Sequence, residues 1–243
     1  MSTESSAHLL KSARRQARPA DNPGVTSNHA RTDACRRTGT AGIIAVATLV
    51  AGVLLDTRTD VHTQNALHSF LDDSGSRLFI AWVFLLVSGL AWLGVVVGLR
   101  SLLPRGGATD LFVIGAALGQ ALVWCGASTD TAAAAPNAHD LPLAVFNALT
   151  EAAHLTTAAG IAVTGLALIG LAQVRATSLW HRAFARGTAA VGVILVLGAV
   201  IGPLSLPVLA LWMLTASILL LSAARASGRA TEAAGAPAIE LDG

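Results

Sequence analysis

Charge is missing from this chain in five long runs, and that limits its fold more than any other feature. Thr38–Leu55, Leu78–Leu99 and Leu111–Thr129 contain no Asp, Glu, Lys or Arg. Leu141–Val174 is interrupted only by Glu151, and Gly187–Ala224 is 38 residues without a charge. A helix needs about 20 apolar residues to cross the hydrocarbon core of a bilayer. The first three runs therefore fit one crossing each. The last is too long for a single helix rising ~1.5 Å per residue. Its centre reads Gly202-Pro203-Leu204-Ser205-Leu206-Pro207, a turn signal between two short helices. The expected fold is all-α, a polytopic bundle of six transmembrane helices. The spans fall at about residues 39–55, 78–99, 111–129, 152–174, 187–203 and 207–223.

Composition excludes a water-soluble globule. Charged residues make up 12% of the chain, half of the roughly 25% usual in soluble domains, and mean hydropathy is +0.63. Basic residues are 15 Arg and one Lys beside abundant Ala and Gly, the composition a GC-rich bacterial genome encodes. A net charge of +2 is too small to draw a nucleic-acid partner.

The distribution of the basic residues orients the bundle. Cytoplasmic segments of membrane proteins carry an excess of Lys and Arg. Six spans with the amino terminus inside place 14 of the 16 basic residues on the inner side, leaving only Arg58 and Arg77 outside. Both termini are thus expected in the cytoplasm, and the localisation is the cell membrane.

Three domain-scale parts follow. Residues 1–38 are polar and basic, with Pro19 and Pro23, and are expected to be a disordered cytoplasmic tail that stays on the protein. Residues 39–224 form the transmembrane domain, and 225–243 a short cytoplasmic tail. In the first outer loop, Ala66, Leu67, Phe70 and Leu71 recur at helical spacing before Asp72, Asp73 and Gly75. This predicts a short amphipathic helix lying on the outer surface. Cys35 and Cys125 fall on opposite sides of the membrane, so no disulfide framework is expected.

Several patterns carry both a packing and a functional reading. Gly94/Gly98, Gly115/Gly119 and Gly198/Gly202 have GxxxG spacing, which lets another helix approach closely. It suits either packing within one bundle or a homo-oligomer face. Trp82, Trp92, Trp124 and Trp212 suit interfacial anchoring or lipid-facing packing. The fourth run is 34 residues, about 50 Å as helix, which exceeds the bilayer core. Asp140 and Pro142 mark its start. Its outer part aligns Asn147, Thr150, Glu151 and His154 on one stripe.

Glu151 and His154 have the Glu-x-x-His spacing of carboxylate-bridged metal sites in helical bundles. No other span supplies a carboxylate to complete such a site. His62, His68 and His139 fall on the same outer side and, with Glu151 and His154, are candidate ligands for zinc or a similar ion. Gln120 in the third span is placed to add one hydrogen bond. The competing reading pairs Glu151 with His154, or sends both to the outer water. No serine or cysteine stands beside a base in a nucleophile pattern, and no phosphate-binding loop is present, so no catalytic residue, enzyme activity or cofactor is expected.

The layout resembles the DUF4386-like family of bacterial integral membrane proteins. The resemblance lies in the basic segment before a first short span and in Ser76-Arg77-Leu78-Phe79-Ile80-Ala81 entering the second. It continues through Trp180-His181-Arg182-Ala183-Phe184, Val193-Ile194-Leu195-Val196-Leu197-Gly198 and Gly202-Pro203-Leu204, covering most of residues 38–224. It implies a topology and no activity. The functional expectation is a non-enzymatic integral membrane protein, structural or accessory, partnered by membrane lipids and by further copies of itself. The alternatives are a transporter or sensor built on Gln120, Asn147, Glu151 and His154, and a membrane enzyme with an outward metal site.

Overall fold

The computed structural model describes residues 23–56, 62–133, 141–174, 182–201 and 205–235, and all regular structure in them is helical. Six helices follow in order: α1 Pro23–Leu55, α2 Gln64–Leu102, α3 Gly107–Ala133, α4 Leu143–Ala172, α5 Arg182–Ile201 and α6 Ser205–Gly235. All six are long and apolar enough to cross a membrane. The last uncharged run divides into α5 and α6, as its paired prolines require.

The helices outrun the uncharged segments. α1 begins at Pro23, so residues 23–38 continue the first span as helix where a disordered tail is expected. Proline is pre-organised for a first helical turn, and this stretch also has something to pack on. Cys35 and Thr38 are buried, and Thr38 seats against Gly98 of α2. At the other end of the chain, α6 continues to Gly235.

Each helix packs on its neighbours in sequence, and α1 also packs on α6, closing a ring. The pairs α3/α4 and α1/α2 are the most extensive, followed by α4/α5 and α1/α6, while α2/α3 and α5/α6 touch more sparingly. The ring is therefore two three-helix halves, α6–α1–α2 and α3–α4–α5, joined along two thinner seams. Glycine makes the close pairs possible. A Cβ at Gly119 would sit 2.7 Å from the Gly160 carbonyl oxygen, and one at Gly165 2.6 Å from that of Gly192. Backbones that close gain dispersion contacts, which stand in for the hydrophobic drive that lipid removes.

Toward the end where α1 begins, the interior is filled by aromatic rings bridging the halves. Phe112 of α3 meets Trp92 of α2 edge-on at 6.4 Å, and Trp92 meets Trp212 of α6 at 6.1 Å. Trp212 in turn stacks on Phe184 of α5 at 6.3 Å. The Trp212 indole N–H donates to Thr188 Oγ1 at 2.9 Å, and that hydroxyl donates to the Phe184 carbonyl at 2.9 Å. This corrects the lipid-facing reading for Trp92 and Trp212, each 4% exposed. Trp82 and Trp124 are half-buried. The outside carries the opposite chemistry. Leu54, Val97, Ile114, Leu155, Leu197 and Leu211 are among many large apolar side chains left exposed, which water would penalise and lipid does not.

α2 is a single helix of 39 residues, about 58 Å long. The separate surface helix expected at 63–71 is its first turns, and Asp72, Asp73 and Gly75 do not end it. Thr63 caps the start, its Oγ1 accepting the Ala66 amide at 3.2 Å. Leu67, Leu71 and Leu78 then bury one face against Phe146 of α4 and Ala133 of α3, while Asp72 and Asp73 stay exposed. That second core carries the helix on through residues that would otherwise end it. The result is a crown built from the ends of α2, α3 and α4, standing beyond the ends of α1, α5 and α6.

Charge separates the two ends. Arg31, Arg36, Arg37, Arg100, Arg105, Arg182, Arg186, Arg225 and Arg229 lie at the end where α1 begins and α6 finishes, and Arg77 at the crown. At this basic end Arg100, in the last turn of α2, pairs with Asp110, in the first turn of α3, at 2.8 Å. Both charges also complement the dipoles of their helix termini. Cys35 lies toward the basic end and Cys125 toward the crown, and both are free thiols.

Candidate functional site

The polar stripe lies on the first half of α4. Asn147, Glu151 and His154 share one face of the helix, and all three are exposed. Thr150 belongs to the adjoining face, where its Oγ1 is enclosed without a hydrogen-bond partner among the described residues. The stripe thus points away from the bundle axis.

Packing registers set its height. Gly126 of α3 lies against Ala153 and Thr157, and Gly192 of α5 against Gly165 and Ile169. Continuing that second register, the last residue of α5, Ile201, is level with about residue 156 of α4. His154 is level with the rim of α5, and Glu151 stands nearly a turn beyond it in the crown. Charged groups there reach water or headgroups without crossing the apolar band.

Asp140, expected with Pro142 to mark the start of α4, lies outside the described residues. Pro142 is the N-cap residue and makes no side-chain capping bond. The cap comes instead from another helix: Gln64 Oε1 accepts the Leu143 amide at 2.9 Å, and Gln64 Nε2 donates to the Leu141 carbonyl at 3.1 Å. His68, one turn along α2, is 3.4 Å from the same Nε2. No local pattern marks this contact, because its partners are 77 and 79 residues apart.

Gln120 does not join the stripe. It leans on α2, where its Nε2 and the Trp124 Nε1 both lie against Gly89. On α4 its level is that of Gly160, about 14 Å along the helix from Glu151. Trp124 Nε1 is enclosed there without a hydrogen-bond partner among the described residues. Glycine at 89 is the only signal of this pocket in the sequence, and it is silent about which side chains fill it.

Among the described residues no three His, Cys, Asp or Glu side chains come close enough to hold a metal ion together. Glu151 and His154 supply two ligands from one helix, short of the three or four a resident zinc takes. His62 is exposed ahead of α2, His68 is engaged beside Gln64, and His139 lies outside the described residues. The GxxxG glycines are largely taken up inside the chain: Gly98 by Thr38, Gly115 by Ala167 and Gly198 by Ser205. Gly94 is exposed, with Ala41 3.6 Å from where its Cβ would be, and Gly202 lies outside the described residues.

The fold and composition define an all-helical chain compatible with a multi-pass integral membrane protein. No family model, curated protein or solved structure matches it.

Proposed function

We propose that this chain is a six-span protein of the bacterial cytoplasmic membrane with a non-enzymatic, structural or accessory role and both termini in the cytoplasm. The observation that carries the reading is the closed interior. The rings of Phe112, Trp92, Trp212 and Phe184 occupy the space between the halves where a translocation path would run. Buried hydroxyls of Thr38, Thr164, Thr188 and Ser217 are turned onto carbonyls of their own helices. Transporters instead gather polar groups and broken helices near the midplane. Among the described residues the titratable stripe of α4 faces outward at the rim. The arginine-rich end supports the orientation by the positive-inside rule.

Two measurements test the proposal. Green fluorescent protein fused to either terminus is expected to fluoresce, and alkaline phosphatase fused to either to stay inactive. Proteoliposomes carrying a pH dye and a potassium diffusion potential should leak protons no faster than empty vesicles. A leak that Glu151→Gln abolishes would establish the transporter reading instead.

A further inference from the structure

We draw no further inference here: the strongest candidate, the groove at the basic end between Leu99 and Leu102 of α2, Phe184 of α5 and Leu219 of α6, is walled by apolar side chains alone, and nothing in the structure shows what covers it.

Discussion

Gln64 caps the first turn of α4 from across the crown, its Oε1 accepting the Leu143 amide at 2.9 Å while its Nε2 donates to the Leu141 carbonyl at 3.1 Å. A helix start leaves amides without partners, and Pro142 brings no side chain to satisfy them. One carboxamide therefore closes a chain segment of nearly eighty residues by two hydrogen bonds. Gln64→Leu strands both backbone groups in a half-buried site and should destabilise the crown by about 1–3 kcal/mol. Gln64→Glu keeps the acceptor and loses the donor, so it should fall between. Hydrogen exchange should speed up at amides 143–149 and stay unchanged in α1 and α6. Uniform speeding across all helices would show that the clamp acts globally.

Close backbone approach predicts opposite effects for two glycine substitutions of equal size. A Cβ at Gly165 would stand 2.6 Å from the Gly192 carbonyl oxygen, an atom fixed in α5, whereas Gly107 has nothing within 4 Å. Gly165→Ala should force α4 and α5 apart at a cost of about 1–3 kcal/mol. Gly107→Ala, at the exposed start of α3, should stabilise by about 0.4–1 kcal/mol because it restricts the unfolded chain. Thermal unfolding in detergent separates them by sign. Two shifts of the same sign would contradict the packing.

The six apolar helices were legible because exclusion of charge from hydrocarbon acts residue by residue and leaves its record in the local pattern. The helix ends were not, since an uncharged run marks the apolar band rather than the helix. α2 continues to Gln64 because Leu67 and Leu71 find Phe146, a partner 75 residues or more away in sequence. The same limit applies inside the bundle. Trp92 in an apolar run reads alike whether it meets lipid or Trp212, and only the meeting of α2 with α6 decides it. The alignment of Asn147, Glu151 and His154 on one stripe followed from helical spacing. That the stripe turns outward, and that Gln120 turns toward Gly89, depends on which neighbours α3 and α4 acquire.

The Trp212–Thr188 hydrogen bond is the polar link across the α5/α6 seam, buried at 2.9 Å within the aromatic core. Trp212→Phe retains a ring for Trp92 and Phe184 but loses the N–H, and Thr188→Val removes the acceptor at nearly constant volume. Interhelical hydrogen bonds in membranes are worth about 0.6 kcal/mol on average and up to ~1.7 kcal/mol. A double-mutant cycle on detergent stability should give a coupling in that range. Zero coupling would mean the rings alone hold the seam.

Depth, rather than charge itself, should decide what an ionised group costs on α4, and Glu151 can be tested against a position on the same helix. Glu151 and His154 are exposed at or beyond the level where α5 ends. Glu151→Ala should therefore change stability by no more than about 0.5 kcal/mol, as for other surface substitutions, and the Glu151→Ala/His154→Ala pair by more only through the contact that His154 itself makes. Elemental analysis of the purified protein should find the same metal content with and without the pair. Leu166 is also exposed, at 57%, but lies about 22 Å further along the helix from Glu151, inside the apolar band. Leu166→Asp should meet an insertion penalty of about 2.5–3.5 kcal/mol, the value for a carboxylate at a span centre. It should reduce the membrane-integrated yield where the Glu151 variants do not. If both substitutions are tolerated alike, Leu166 is wet, and α4 must line a water-filled path that the packed aromatic interior does not provide. If Glu151→Ala alone proves costly, Glu151 is held by a partner on its outer face.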